Sequence, residues 1–294
     1  MLEVPLARPL LLALFVVSGL VFGAVWWRTE LARSARRERA SVLPGPRHVL
    51  VGAVTDFLDT LGIGSFATTT AALRLGKVVD DRSIPGTLNV GHTLPTVAQA
   101  LIYVTIVEVD MATLMVMIVA AVCGAWIGAG TVSRWSRRWV QVAIGSGMVA
   151  ATGLMVCTAI GLLPKGGDSL SLGGLRLATG AVVNFALGAL MTAGIGLYAP
   201  CMILVSLLGM NPTAAFPIMM GSCALLMTVA STRFVRTSAY DLRAALGLTL
   251  GGAPAVFVAA FLVRALPLAM VRWLIIGVAA YTAATLLDAA RRDA

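Results

Sequence analysis

The sequence predicts an all-α integral membrane fold: an inverted repeat of a re-entrant broken helix plus three transmembrane helices, preceded by one N-terminal transmembrane helix. Three observations carry this: an apolar composition, a glycine motif repeated at one constant offset, and the placement of arginine between the apolar runs. Of 294 residues, 59% are hydrophobic and 12% charged, and the mean hydropathy is +0.93. A soluble domain has roughly 45 to 50% apolar and about 25% charged residues. The uncharged runs Leu10 to Trp27, Ser83 to Val107, Met111 to Ser133, Trp139 to Pro164 and Leu177 to Thr232 each reach the ~18 to 20 residues that a helix needs to cross about 30 Å of hydrocarbon.

The first element is a retained anchor. Leu10 to Trp27 has only Arg8 ahead of it, no small-residue cleavage site, and a dense basic block behind it, which is not the build of a removable signal. Thr29 to Ala40 continues as a charged, helical cytoplasmic linker ending at Pro44-Gly45-Pro46, where proline and glycine stop a helix. Anchor and linker together occupy residues 1–47.

Two membrane repeats follow, 48–164 and 178–290, joined by an extracytoplasmic connector over 165–177. In the first, Gly62-Ile63-Gly64 lies in "TLGIGSFATTT"; 132 positions later Gly194-Ile195-Gly196 lies in "TAGIGLYAPCM". The same offset pairs Ala67 with Ala199, Leu75 with Leu207, Pro85 with Pro217, Thr96-Val97-Ala98 with Thr228-Val229-Ala230, and Ile144-Gly145 with Ile276-Gly277. Each identity alone is cheap in so biased a composition; one register held across a third of the chain is the mark of duplication. Each repeat then contains a glycine-broken segment and three helices: 48–75, 83–107, 111–132 and 139–162, then 178–208, 213–232, 243–264 and 270–288.

Basic residues decide whether the broken segments cross. If each dips in and returns, only Arg8, Lys165, Arg176, Arg264 and Arg272 lie outside, leaving 17 of the 22 Lys and Arg on the cytoplasmic side. If both cross, the split is 13 to 9. Loop asymmetry sets orientation, so the hairpins return, three crossings per repeat remain, and the repeats are inverted. The N-terminus is then outside and the C-terminus cytoplasmic, in a multi-pass inner-membrane protein. The net charge of +9 is used in this way, and no nucleic-acid partner is expected. Trp26, Trp27, Trp135 and Trp139 flank the cytoplasmic blocks as belt residues would. Cys123, Cys157, Cys201 and Cys223 have no motif spacing, so neither a disulfide framework nor a metal site is indicated, and no cofactor is expected.

A break at mid-depth frees backbone groups that only protein or a water-filled cavity can satisfy. Two breaks approaching from opposite sides are expected to meet near the middle, and the helix N-termini that follow them suit an anion. The residues assigned to substrate are Gly62, Ile63, Gly64, Ser65, Phe66 and Thr68 at the first break and Gly194, Ile195, Gly196 and Tyr198 at the second. Thr69 is a further hydroxyl there. Asn89 and Ser222, mid-helix in matching segments, complete the set. Asp56 and Asp59 sit three apart on the first half-helix, hence on one face. Membrane carboxylates mark ion or proton pathways by default, so these two, with His92, are assigned to coupling. The plainer alternatives are pairing of the acids with Arg74 or with unwound backbone, and packing for the histidine. Gln99 and Gln141 carry less information.

The duplicated break, Val109-Asp110 opening a helix that runs to Gly124-Ala-Trp-Ile-Gly128-Ala, and "YDLRAALGLTLGGAPAVFVAAFLV" from Tyr240 to Val263 resemble the TauE/SafE sulfite exporter family over roughly residues 50 to 290. Residues 1–47 stand ahead of the resembling stretch. The resemblance implies a permease for small, often sulfur-containing anions such as sulfite or an organosulfonate. The expected function is secondary transport by alternating access, coupled to protons, in a lipid bilayer; a homo-oligomer is left open. The alternatives are a cation or metal transporter using Asp56 and Asp59 and, more remotely, an intramembrane hydrolase. No G-x-x-x-x-G-K-[ST] sequence for nucleotide binding is present.

Overall fold

A computed structural model describes residues 4–34, 43–76, 79–80, 83–131, 136–162, 167–191 and 197–292. The helices among them are α1 (Val4–Ser34), α2 (Pro46–Thr60), α3 (Ser65–Leu75), α4 (Ile84–Ile106), α5 (Met111–Thr131), α6 (Arg137–Ala159), α7 (Gly174–Met191), α8 (Tyr198–Leu207), α9 (Ala215–Thr237), α10 (Leu242–Ala265) and α11 (Leu268–Arg292). A short 3-10 turn, Pro212–Ala214, leads into α9. Moved forward by 132 positions, the bounds of α2 to α6 fall within four residues of those of α7 to α11. The chain is thus an all-α, multi-pass helical bundle, with no strand among the described residues.

Five described helical stretches are long and apolar enough to cross a membrane: Leu6–Arg33, Gly174–Met191, Pro212–Thr237, Leu242–Ala265 and Ala269–Arg292. Met111–Ile127 and Ile144–Cys157 are shorter apolar helices. α7 is among the five although the sequence reading makes it the first arm of a hairpin, because it begins four residues earlier than its counterpart α2 would. α4 is not, because Thr87, His92, Thr93, Thr96 and Gln99 lower its hydropathy. All five are buried, and a helix enclosed by protein need not be apolar all round.

The helices form two compact units: residues 1–105 with 223–262, and residues 106–222 with 263–294. The first unit is organised by the pairing of α2 with α10. A Cβ on Gly52 would meet the backbone of Leu248, one on Gly247 would meet His48, and one on Gly251 would meet the carbonyl of Val49. Lipid tails are as apolar as leucine, so membrane helices associate by close packing and hydrogen bonds rather than by the hydrophobic effect, and small residues make the seam. α4 joins the same seam. Pro95 has no N–H for the carbonyl of Gly91, and Thr249 Oγ1 donates to that oxygen at 2.7 Å from α10. The N-terminal ends of α2, α4 and α10 lie together: Arg243 Nε donates to Leu43 C=O at 3.4 Å, and Asp241 N–H to Thr87 Oγ1 at 2.9 Å. α3 runs back along α4, with Leu73 packed on Ile84 and Leu88.

α1 is one continuous helix that docks onto this unit. Phe22 and Trp26 are buried with Val90, Val235, Tyr240 and Ala245. The Trp26 indole N–H donates to Tyr240 OH at 2.9 Å, and that hydroxyl donates to Glu30 at 2.7 Å. Burial, followed by the hydrogen bond to Glu30, pushes the Tyr240 phenol above its ordinary range, so it remains a donor. Arg33 pairs with Glu30 and also donates to the carbonyls of Val235 and Arg236, where a cation completes the C-terminal turn of α9. Trp26 is therefore a core residue and not a belt residue, because its ring and its N–H both find protein partners. Trp27 and Trp139 remain exposed, and Trp135 lies outside the described residues.

In the second unit the corresponding seam joins α7 to α5. A Cβ on Gly188 would meet the carbonyl of Ala121, and one on Gly124 the carbonyl of Phe185. Asn184 Nδ2 donates to Met117 C=O at 2.7 Å. α6 lies on α11, with Gly145 against Leu287. Asp110 caps α5 through the N–H and hydroxyl of Thr113, as expected for the helix opened by Val109-Asp110. Beyond α8 the chain returns to the segment that precedes α7: Ser169 N–H donates to Gly209 C=O, and Asn211 N–H to Ser169 C=O at 2.8 Å.

Candidate functional site

The break between α2 and α3 is built by its two glycines. Gly62 N–H returns to Asp59 C=O at 2.8 Å and Ile63 N–H to Leu58 C=O at 3.1 Å, the paired bonds of a helix ending on a left-handed residue. Gly62 has φ +93° and Gly64 +89°, a region that only glycine enters without strain. A Cβ on Gly64 would meet nothing within 4 Å, so backbone conformation, not crowding, calls for glycine there.

Around this break lies a buried polar network supplied by α2, α3 and α4. Asp59 reaches across the break: its Oδ1 accepts the N–H of Ser65, the first residue of α3, and its Oδ2 accepts Gln99 Nε2 at 2.9 Å. Gln99 Nε2 also bonds Thr60 Oγ1 at 2.9 Å, while Tyr103 OH donates to Thr60 C=O at 2.8 Å, one of the carbonyls that the end of α2 leaves without a helical partner. One turn earlier, Asp56 Oδ1 is 2.9 Å from His92 Nδ1, and His92 Nε2 is 2.9 Å from Thr69 Oγ1 on α3. His92 therefore ties the two half-helices together across the break. Asp56, Asp59, Thr60, Thr69, His92, Gln99 and Tyr103 are all buried.

Two acceptors in the network have no partner among the described residues, Asp56 Oδ2 and Gln99 Oε1. Asp56 Oδ2 fits only because position 252 is glycine, since a Cβ on Gly252 would fall on that oxygen. The matching seam of the second unit reverses the arrangement. There Gly188, at the offset from Asp56, is itself the small residue, pressed against Ala121.

The other residues assigned from sequence are distributed as follows. Ser65 is buried at the break, and the Phe66 ring lies 6.3 Å from that of His92. Thr68 Oγ1 turns back to the carbonyls of Gly64 and Ser65. Asn89 donates to Pro85 C=O and Ser222 to Ile218 C=O, each within its own helix, so neither joins the network. Tyr198 is buried at the start of α8. Gly194, Ile195 and Gly196 lie outside the described residues, as does the side chain of Arg74. Of the plainer alternatives, Asp59 does bind unwound backbone, and the first main-chain donor of α3 is thereby used by the chain's own carboxylate. Gln99, Tyr103 and Thr60 were not assigned from sequence. The signal was the polar stripe His92, Thr96, Gln99, Tyr103, spaced by four, three and four residues on one face of α4. Among the described residues no group of three His, Cys, Asp or Glu is placed to hold a metal ion.

A helix interrupted inside a membrane bundle, with ionisable groups buried at the interruption, is the construction of a membrane permease. The chain belongs to the sulfite exporter TauE/SafE family, whose description matches residues 2–155. The matched stretch takes in α1 and the linker, which the sequence reading set ahead of the family's part of the chain; the buried Phe22 and Trp26 show α1 to be a built-in helix of the first unit. No curated protein and no solved structure matches the chain. Although Asp56, His92 and Thr69 are bonded in the order of a nucleophile relay, the family is one of transporters and the protein is not an enzyme.

Proposed function

We propose that the protein is a secondary transporter of a small anion, sulfite or an organosulfonate, working by alternating access with proton coupling. The observation that carries this reading is the buried Asp56–His92–Thr69 chain across a glycine break, in a member of a sulfite exporter family. The two breaks, at Gly62-Ile63-Gly64 and Gly194-Ile195-Gly196, handle the substrate; the cluster of Asp56, Asp59 and His92 is where the proton is handled.

The two repeats, 48–164 and 178–290, are inverted, and each opens with a segment that leaves the membrane where it entered. Three sets of contacts support this. α2 and α4 both begin beside the start of α10, α3 runs back along α4, and the end of α8 pairs with the segment ahead of α7. The arginine distribution supports an N-terminus outside and a C-terminus in the cytoplasm. Because each unit contains the broken segment of one repeat and the second of the three helices that follow the break in the other, joined by seams that admit no Cβ, a rigid-body change of access moves the mixed units and not the repeats.

A second reading, a cation as cargo, is favoured by the unpartnered acceptors Asp56 Oδ2 and Gln99 Oε1. Thermal stability of the purified protein separates the two. Sulfite or a small sulfonate raises the melting temperature while sodium, potassium and magnesium ions leave it unchanged; the reverse pattern overturns the anion reading.

A further inference from the structure

We infer that the two aspartates of the break have different tasks: Asp56, with His92, is the proton-binding site, whereas Asp59 is a positioning residue that caps α3. The inference rests on the transport reading for its role in coupling, and on geometry alone for the division of labour. Asp59 has both oxygens engaged, Oδ1 by Ser65 N–H and Oδ2 by Gln99 Nε2. Its charge sits against the N-terminal turn of α3, where a carboxylate satisfies an unpaired main-chain donor and the helix dipole together. Protonating it would set an O–H against one of these donors and release the start of the second half-helix.

Asp56 is placed differently. One oxygen faces His92 Nδ1, while the other has no partner among the described residues and lies against Gly252. A buried acceptor without a donor is a place where a proton is bound at little structural cost. Among the described residues, the titratable groups that act on Asp56 are His92, which faces it from α4, and Asp59, three residues on along α2; Gly252 on α10, which lies against its Oδ2, cannot titrate. The proton has two positions within this pair. On His92, the imidazolium donates from Nδ1 to Asp56 and from Nε2 to Thr69 Oγ1, whose hydroxyl must then point elsewhere; on Asp56 Oδ2, His92 stays neutral and accepts from Thr69. Proton movement between the two therefore reorients the hydroxyl that ties α3 to α4.

Infrared difference spectra of the purified protein over a pH series test the assignment without any transport. A protonated-carboxyl band is present in the wild type and lost in Asp56→Asn. Gly252→Ala, which retains the carboxyl but pushes on Oδ2, moves the midpoint of that band and serves if Asp56→Asn fails to fold. Asp59→Asn lowers thermal stability, and Gln99→Glu added to it restores the loss, because the amide at position 59 then donates to the carboxylate at 99 and still accepts from Ser65. A band that survives in Asp56→Asn, a midpoint unmoved in Gly252→Ala, or no rescue by Gln99→Glu overturns the division. In reconstituted vesicles, an imposed pH gradient drives sulfite flux in the wild type and loses its effect in Asp56→Asn. Absence of any wild-type sulfite flux defeats the transport reading and leaves the infrared result standing.

Discussion

The bond between Thr249 and Gly91 can be weighed by replacing each of its reasons. Thr249→Val keeps the shape of the side chain and removes the hydroxyl that donates at 2.7 Å to a carbonyl left without a helical partner by Pro95. An unpaired buried carbonyl costs about 1 to 3 kcal/mol in a protein interior, whereas interhelical hydrogen bonds in a membrane average ~0.6 and reach ~1.7 kcal/mol, because the unfolded chain in lipid also finds partners. Gly91 is buried, which places Thr249→Val toward the upper end, a loss of about 1 to 1.5 kcal/mol. Pro95→Ala restores a main-chain N–H at 95, which then serves Gly91 from within α4. In that background Thr249→Val costs close to nothing. The pair forms a double-mutant cycle with a coupling of about 1 kcal/mol, read from equilibrium unfolding in mixed micelles of rising dodecyl sulfate content. Equal losses in both backgrounds, or no loss while Pro95 is present, would refute the reasoning.

Two glycines of α-helices respond in opposite directions to the same change. Gly188→Ala drives a Cβ into the carbonyl of Ala121 and lowers stability by about 1 to 3 kcal/mol, whereas Gly147→Ala on α6 meets nothing within 4 Å and gains up to about 1 kcal/mol of helix propensity; the same micelle titration reads both. Tyr240→Phe removes the hydroxyl between Trp26 and Glu30 and loosens α1, giving faster proteolysis near the end of α1 while α4 to α10 remain protected. Unchanged cleavage would show that apolar packing alone holds α1.

Much of the frame was legible in the sequence. Apolar runs gave the helices to within a few residues because lipid tolerates charge only at their ends, and Gly62 and Gly64 announced a break that their positive φ values explain. The arginine blocks called for returning segments, an expectation that stays with the proposed function. The partners of Asp56 and Asp59 were harder to read. His92 and Gln99 are 36 and 40 positions away from them in sequence, and no local spacing encodes that pairing; only the polar stripe along α4 hinted at it. Trp26 was misread because an indole beside a basic block looks interfacial whether its N–H meets water or a tyrosine. The glycines at 247, 251 and 252 sat in a familiar motif, but their use as a seam depends on α2, from the other end of the chain.

That seam has a cost in time. Gly52 and Gly251 are 199 positions apart, so at ~5 to 20 residues per second α2 waits roughly 10 to 40 s in the nascent chain before its mate leaves the ribosome. Through that interval the Asp56 carboxylate and the bare backbone at Gly52 face lipid or the insertion machinery, and the first half of the protein must be sheltered until the second arrives.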